Sequence, residues 1–175
     1  MRVPQAGLVV AMFGAACVGK TALAARLATD LRVPCRHCGE LLKQRAAQLA
    51  LRPAELSKEA HIALDEETRS VAAEAVSSLV IEGSFLDRVL VTLHTPLFVR
   101  LTCDEQERRR RFHARLAGQS MNVRTLEDRD HEDARLRHWL YSDKNPASWD
   151  CLVVDTTSQP IEELSNYLTD YLGRL

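Results

Sequence analysis

Aromatic side chains are scarce in this chain, 5% of 175 residues, and neither sign of charge prevails: 23 Lys and Arg stand against 24 Asp and Glu, a net charge of −1. A protein whose main task is to coat nucleic acid or an anionic membrane carries a marked basic excess, so that class is set aside. No apolar run approaches the length of a membrane span, and the N-terminal segment lacks the build of a secretory signal. The five cysteines, Cys17, Cys35, Cys38, Cys103 and Cys151, are odd in number and scattered, which suits reduced thiols better than a disulfide framework. No repeat, low-complexity tract or linker divides the chain. The expectation is one cytoplasmic domain over 1–175, monomeric, with small-molecule partners and neither nucleic acid nor membrane as a partner.

Short apolar runs recur at Leu8–Phe13, Leu79–Ile81, Leu97–Leu101 and Cys151–Val154, with a further short strand expected near Arg32–Cys35. Helical patterns separate them, and such alternation predicts an α/β fold with a five-stranded parallel sheet. Between the second and third strands the pattern predicts a helix over Gly39–Leu49, another opened by Pro53, and a third over His61–Ser78. Asp104 is placed to cap a helix that Gly118 ends, a second charged helix is expected over Thr125–Tyr141, and Asn145-Pro146 breaks that pattern. The last helix, from Pro160, sets Ile161, Leu164, Leu168 and Leu172 on one stripe facing the sheet.

Directly after the first apolar run comes Gly14-Ala15-Ala16-Cys17-Val18-Gly19-Lys20-Thr21, which reads G-x-x-x-x-G-K-[ST] and leads into an alanine-rich helix former. A strand delivers such a loop, its glycines let successive N–H groups converge on an anion, and the following helix turns its positive end to the same point. In that arrangement Lys20 reaches the β- and γ-phosphates of a nucleotide and the Thr21 hydroxyl holds Mg²⁺. The loop implies ATP as ligand.

Arginines crowd the later part of the chain. Arg111 and Arg115 are four apart, Arg108 and Arg111 three apart, and Arg129, Glu132 and Arg135 repeat that spacing, so each set shares a helix face. Two such helices joined by Gly118–Asn122 would form a flap that neutralises charge during phosphoryl transfer. A solvated surface of Glu–Arg pairs explains the same spacing, and the run Arg108–Arg111 cannot all face one site. Cys35-x-x-Cys38 is short of the four ligands a structural zinc wants. Glu82, at the end of a strand, either orients magnesium through water or caps the next segment. His61, His131 and His138 form no metal-binding pair and read as surface or flap residues.

The order of these segments resembles the cytidylate-kinase-like nucleoside monophosphate kinases over almost the full length. The phosphate loop carries the resemblance first, followed by Cys38-Gly39-Glu40-Leu41-Leu42-Lys43, which is similar to that family's A-G-E-[IL]-[FL]-[RK]. Pro53–Lys58 with Leu64-Asp65, then Leu79–Gly83 against a strand ending in E-G-R, the arginine segments, and Trp149–Thr156 against Y-D-L-V-[IV]-[DN]-T complete it. The resemblance implies a three-layer P-loop fold and an ATP- and Mg²⁺-dependent phosphotransferase, with an acceptor-binding insertion at about 39–78 and an arginine LID at about 108–137. It implies Arg111, Arg115, Arg129 and Arg135 as LID arginines beside Lys20, and Lys43 and Asp65 as residues facing the acceptor nucleotide. Where that family has arginine after E-G, this chain has Ser84; Arg88 or Lys43 would have to replace it. Otherwise the acceptor is a modified nucleotide, a nucleoside or another hydroxylated metabolite, or the chain is a nucleotide-binding regulator without acceptor chemistry. Cys17 stands where related kinases carry glycine, beside a helix N-terminus and Lys20, a setting that makes a thiol reactive.

Overall fold

In the computed structural model, which describes residues 7–93, 96–117, 125–141 and 151–175, four largely apolar segments and the short polar edge strand Cys35–His37 form one parallel sheet in the order β2-β3-β1-β4-β5. The strands are β1 (Val9–Phe13), β2 (Cys35–His37), β3 (Leu79–Glu82), β4 (Leu97–Thr102) and β5 (Leu152–Asp155). The helices are α1 (Lys20–Leu31), α2 (Cys38–Gln48), α3 (Lys58–Ala73), α4 (Leu86–Val89), α5 (Glu105–Leu116), α6 (Leu126–Tyr141) and α7 (Ile161–Leu172). Successive side chains of a strand point to opposite faces. Val10 and Met12 of β1 accordingly join the core under α1 and α7, while Val9 and Ala11 join the core under α3 and α4. These are the three layers, and the stripe Leu164, Leu168 and Leu172 of α7 is buried as expected. Gly118–Asn122, Asn145-Pro146, Trp149 and Asp150 lie outside the described residues.

Several expected boundaries move. The second strand begins at Cys35 because α1 ends on Arg32 in the left-handed region, φ 57°, whose N–H bonds to Ala28 and Thr29 carbonyls, so the chain is extended only afterwards. Pro53 opens a single 3₁₀ turn rather than a helix; the Glu55 carboxylate folds back to accept from the Arg52 N–H at 2.8 Å. The helix proper starts behind Ser57, which caps it by accepting from the Ala60 N–H, and stops at Ala73. The helix thus ends five residues before the expected Ser78, and Leu79 opens β3, paired with Val9. The short helix α4 follows β3.

Adjacent connections leave β1 and β3 in opposite directions across the sheet, so the order reverses at β1. In open α/β sheets that is where a crevice forms beyond the carboxyl ends of the strands. The loop after β1 opens into it.

Candidate active site

The loop from Gly14 to Gly19 owes its course to backbone positions that side chains rarely adopt. Gly14 has φ 146°, and a Cβ there would sit 2.5 Å from the Leu101 carbonyl oxygen. Gly19 has φ 91° and precedes α1 without a side-chain cap, which leaves the first N–H groups of the helix facing into the loop. Cys17 adopts φ 62°, the left-handed region that favours glycine.

Two residues from elsewhere hold this loop in place. Arg108 of α5 donates from Nε to the Ala16 carbonyl at 3.0 Å and from Nη2 to Asp130 of α6 at 2.6 Å. Thr156, buried just after β5, has its hydroxyl 2.7 Å from the Val18 carbonyl and takes a hydrogen bond from Arg111 Nη1 at 3.1 Å.

Inside the loop Lys20 Nζ donates to the carbonyls of Gly14 at 2.9 Å and Ala15 at 2.7 Å. Burial pushes its pKa down; Glu82 and Asp133 pull it back up. Among the described residues no carboxylate comes within ion-pair distance of this ammonium, which is the electrostatic condition for an anion to be welcome beside it. Thr21 donates from its hydroxyl to Glu82 Oε1 at 3.3 Å, and Glu82 is buried, with His37 Nδ1 also at 3.3 Å. A hydroxyl and a carboxylate, both hard oxygen donors, are the chemistry Mg²⁺ prefers. The residues present thus fit a nucleotide phosphate and its magnesium. No group of three or more His, Cys, Asp or Glu able to hold a metal occurs among the described residues, and the Cys35 and Cys38 thiols are pushed up to about 11 by burial.

Two cavities meet the loop, and a third adjoins one of them. One, of about 310 Å³, lies on its outer side between α5 and the turn before α7, and here Cys17, Gly19, Arg111, Arg115 and Thr156 come together. Glu107 bonds Arg110 and Arg111 there, and those bonds hold its carboxyl down to about 2. A second cavity, of about 660 Å³, runs from Gly14 and Ala15 under α6 past Ser84, Arg108 and Arg137. The third, of about 200 Å³, lies between the α2–α3 block, α4 and α6. Leu41, Leu42, Leu64, Leu86 and Leu140 give it apolar walls, and Lys43, Asp65 and Arg129 bring charge.

The site residues expected from sequence divide among these spaces. Arg111 and Arg115 face the outer cavity, whereas Arg129 faces the third, bonded to Asp133 at 2.9 Å and Glu132 at 3.4 Å. Arg135 is exposed on α6 and lines none of these cavities. Lys43 and Asp65 line the third cavity, with Lys43 on Glu40 at 3.2 Å. Asp65 accepts from the Tyr141 hydroxyl at 2.6 Å, and burial raises its pKa against the pull of that bond. Ser84 lines the second and third cavities alike. Arg88 does lie in a helix, but its side chain packs beside Asp87 and lines neither.

Other residues at the site carried little or no signal in sequence. Both Asp87 oxygens accept from Arg137, one at 3.1 Å, across 50 positions. Asp133, by contrast, is four residues from Arg129, and helical spacing alone pairs them. His61, expected at the surface or in the flap, is buried in the wall of the third cavity against Trp139, because Trp139 comes from a helix that folds back over α3.

By sequence, no family model and no curated protein matches the chain. By structure it is similar to a gluconokinase from Sinorhizobium meliloti 1021, with a TM-score of 0.64 and 17% identity over 99% of this chain and 94% of that one. It is similar also to a shikimate kinase from Acinetobacter baumannii in complex with shikimate, with a TM-score of 0.61 and 13% identity, covering 97% and 93%. A third likeness is to the shikimate kinase of Bacteroides thetaiotaomicron, with a TM-score of 0.59 and 19% identity, covering 95% and 98%. The chain has the fold of the P-loop small-molecule kinases.

Proposed function

We propose that this chain is an ATP- and Mg²⁺-dependent kinase that moves the γ-phosphoryl group to a small hydroxylated acceptor. The observation that carries it is the Lys20 ammonium, held inside the loop on two carbonyls and beside the Thr21–Glu82 pair, with no carboxylate within ion-pair distance among the described residues. ATP would lie with its base end in the outer cavity, near Arg111 and Arg115, and its terminal phosphate at Lys20. Thr21 and Glu82 would hold Mg²⁺, which neutralises charge on the donor's phosphates. The acceptor would enter the cavity between the 39–78 insertion and the 108–137 LID, which Arg129 and Lys43 line.

The narrower reading, a nucleoside monophosphate acceptor, follows from the sequence resemblance. Ser84 stands where an arginine would bind the acceptor's phosphate, and Lys43 and Arg129 each already face a carboxylate. Those two observations favour an alcohol over a phosphate as the acceptor. The regulator reading would need acceptor chemistry to be lost, and the LID arginines speak against that.

Coupled ADP release with Mg·ATP decides, using nucleosides, shikimate, gluconate and nucleoside monophosphates as acceptors beside Lys20→Ala. Acceptor-stimulated turnover that Lys20→Ala abolishes is expected; ATP binding with no turnover on any acceptor leaves the regulator reading standing instead. A monomeric, cytoplasmic enzyme with soluble substrates is the corresponding proposal for its setting.

A further inference from the structure

Asp133 occupies the junction of the site. With Ser84 and Phe85 it lines both the cavity that begins at Gly14 and Ala15 and the cavity walled by α2, α3 and α4. Its side chain is 15% exposed, and Oδ1 accepts from Arg129 Nη2 at 2.9 Å. The Lys20 ammonium and the Asp133 carboxylate are near enough for each to feel the other's charge, and Asp130 and Glu132 of the same helix act on it too. A carboxylate so placed is poorly suited to greet a second phosphate, since like charges at close range repel. It suits an alcohol, which must shed a proton as it attacks.

Resting on the kinase reading above, we propose that Asp133 is the proton acceptor for the acceptor's hydroxyl group. The acceptor oxygen forms its bond to the γ-phosphorus while the bond from that phosphorus to the β–γ bridging oxygen breaks, and ADP departs with the electron pair. The hydroxyl proton passes to Oδ2 of Asp133, the oxygen not bonded to Arg129, and from there to water once the product leaves. Burial raises the Asp133 carboxyl above the usual aspartate value, against the pull of Arg129 and Lys20, which makes it a somewhat better base than a surface aspartate. Once protonated, Asp133 no longer neutralises Arg129, which keeps its pairing with Glu132 and offers more positive charge to the moving phosphoryl group. A nucleoside monophosphate, already ionised at its phosphate, would need no such base.

The full-length protein with Mg·ATP tests this through wild type, Asp133→Asn and Asp133→Glu. Cytidine, adenosine, shikimate and gluconate are compared with CMP, dCMP, UMP and AMP, and calorimetry follows a non-hydrolysable ATP analogue and the best acceptor. Asparagine still accepts from Arg129 but takes no proton, so kcat is expected to fall roughly 10²–10⁴-fold. Both affinities are expected to stay within about threefold, the mark of an interaction made in the transition state. Asp133→Glu recovers part of the lost turnover. Three results overturn the proposal while leaving a kinase: a monophosphate turned over faster than every hydroxyl acceptor, an Asp133→Asn kcat within about fivefold of wild type, or equal losses in kcat and affinity. Normal binding of the ATP analogue with no acceptor turned over by wild type overturns the kinase reading, and the proposal with it.

Discussion

Cys17 and Gly14 share one loop and make opposite demands on their side chains. At φ 62° Cys17 carries a Cβ in a conformation that costs an ordinary residue roughly 1–2 kcal/mol, though a glycine there would add flexibility to the unfolded chain. Cys17→Gly is therefore expected to leave stability within about 1 kcal/mol of wild type in urea unfolding, while Cys17→Val, β-branched, loses more. Gly14 has no such latitude, because its Cβ would strike backbone at Leu101. Gly14→Ala should abolish binding of an ATP analogue in calorimetry, and unchanged affinity would contradict the loop geometry. Cys17 also lines the outer cavity beside Gly19 and Thr156. If ATP occupies that cavity, alkylation of Cys17 slows in its presence, and mass spectrometry of the labelled protein with and without ATP reads this directly.

The helix α6 has little amphipathic character in sequence and is tied to its neighbours by polar contacts. Arg137 grips Asp87 of α4, Tyr141 reaches Asp65 of α3, and Lys58 of α3 donates to the Trp139 carbonyl at 2.8 Å. At its other end Asp130 meets Arg108, and Arg109 of α5 pairs with Glu127. Only Leu126 of this helix is buried, so charge rather than apolar area holds it over the cavity. Tyr141→Phe leaves the half-buried Asp65 without its donor and is expected to cost about 1–3 kcal/mol, read from the urea midpoint. The pH dependence has a definite sign. Asp65 titrates above 3.8 in the folded chain, so there the folded state holds more protons than the unfolded state. Its contribution is most favourable below 3.8 and is lost as pH rises through the folded value. Asp65→Asn removes that dependence. Relative to the variant, wild type should therefore lose stability between pH 4 and neutrality, and parallel curves for the two would show that Asp65 is not shifted.

Taken whole, the molecule is a sheet that delivers one loop, with helices bringing charge to both sides of it. A ligand bound only by the folded state stabilises it by about 2.7 kcal/mol at a hundred times its Kd. For a chain of this length that corresponds to a rise in Tm of roughly 5–10 °C. Mg·ATP should produce such a rise in wild type and not in Lys20→Ala, measured by thermal unfolding at equal nucleotide concentration. The loop, the strands and the parallel class were legible in the chain itself, because each rests on local rules: short apolar runs separated by helical patterns, the conformational needs of Gly14 and Gly19, and the apolar stripe of α7. Asp104 capping α5 through the Glu107 N–H at 2.7 Å belongs with them. Helix ends next to Pro53 and Ala75 did not, since a turn closed by Glu55 and the pull of Leu79 into the sheet overrode the local pattern. The division of the arginines between two cavities, the Arg137–Asp87 grip and the place of Asp133 at their junction were decided only in three dimensions. Charged residues far apart in a chain carry no periodic signal, and which of them meet depends on how the helices cross the sheet.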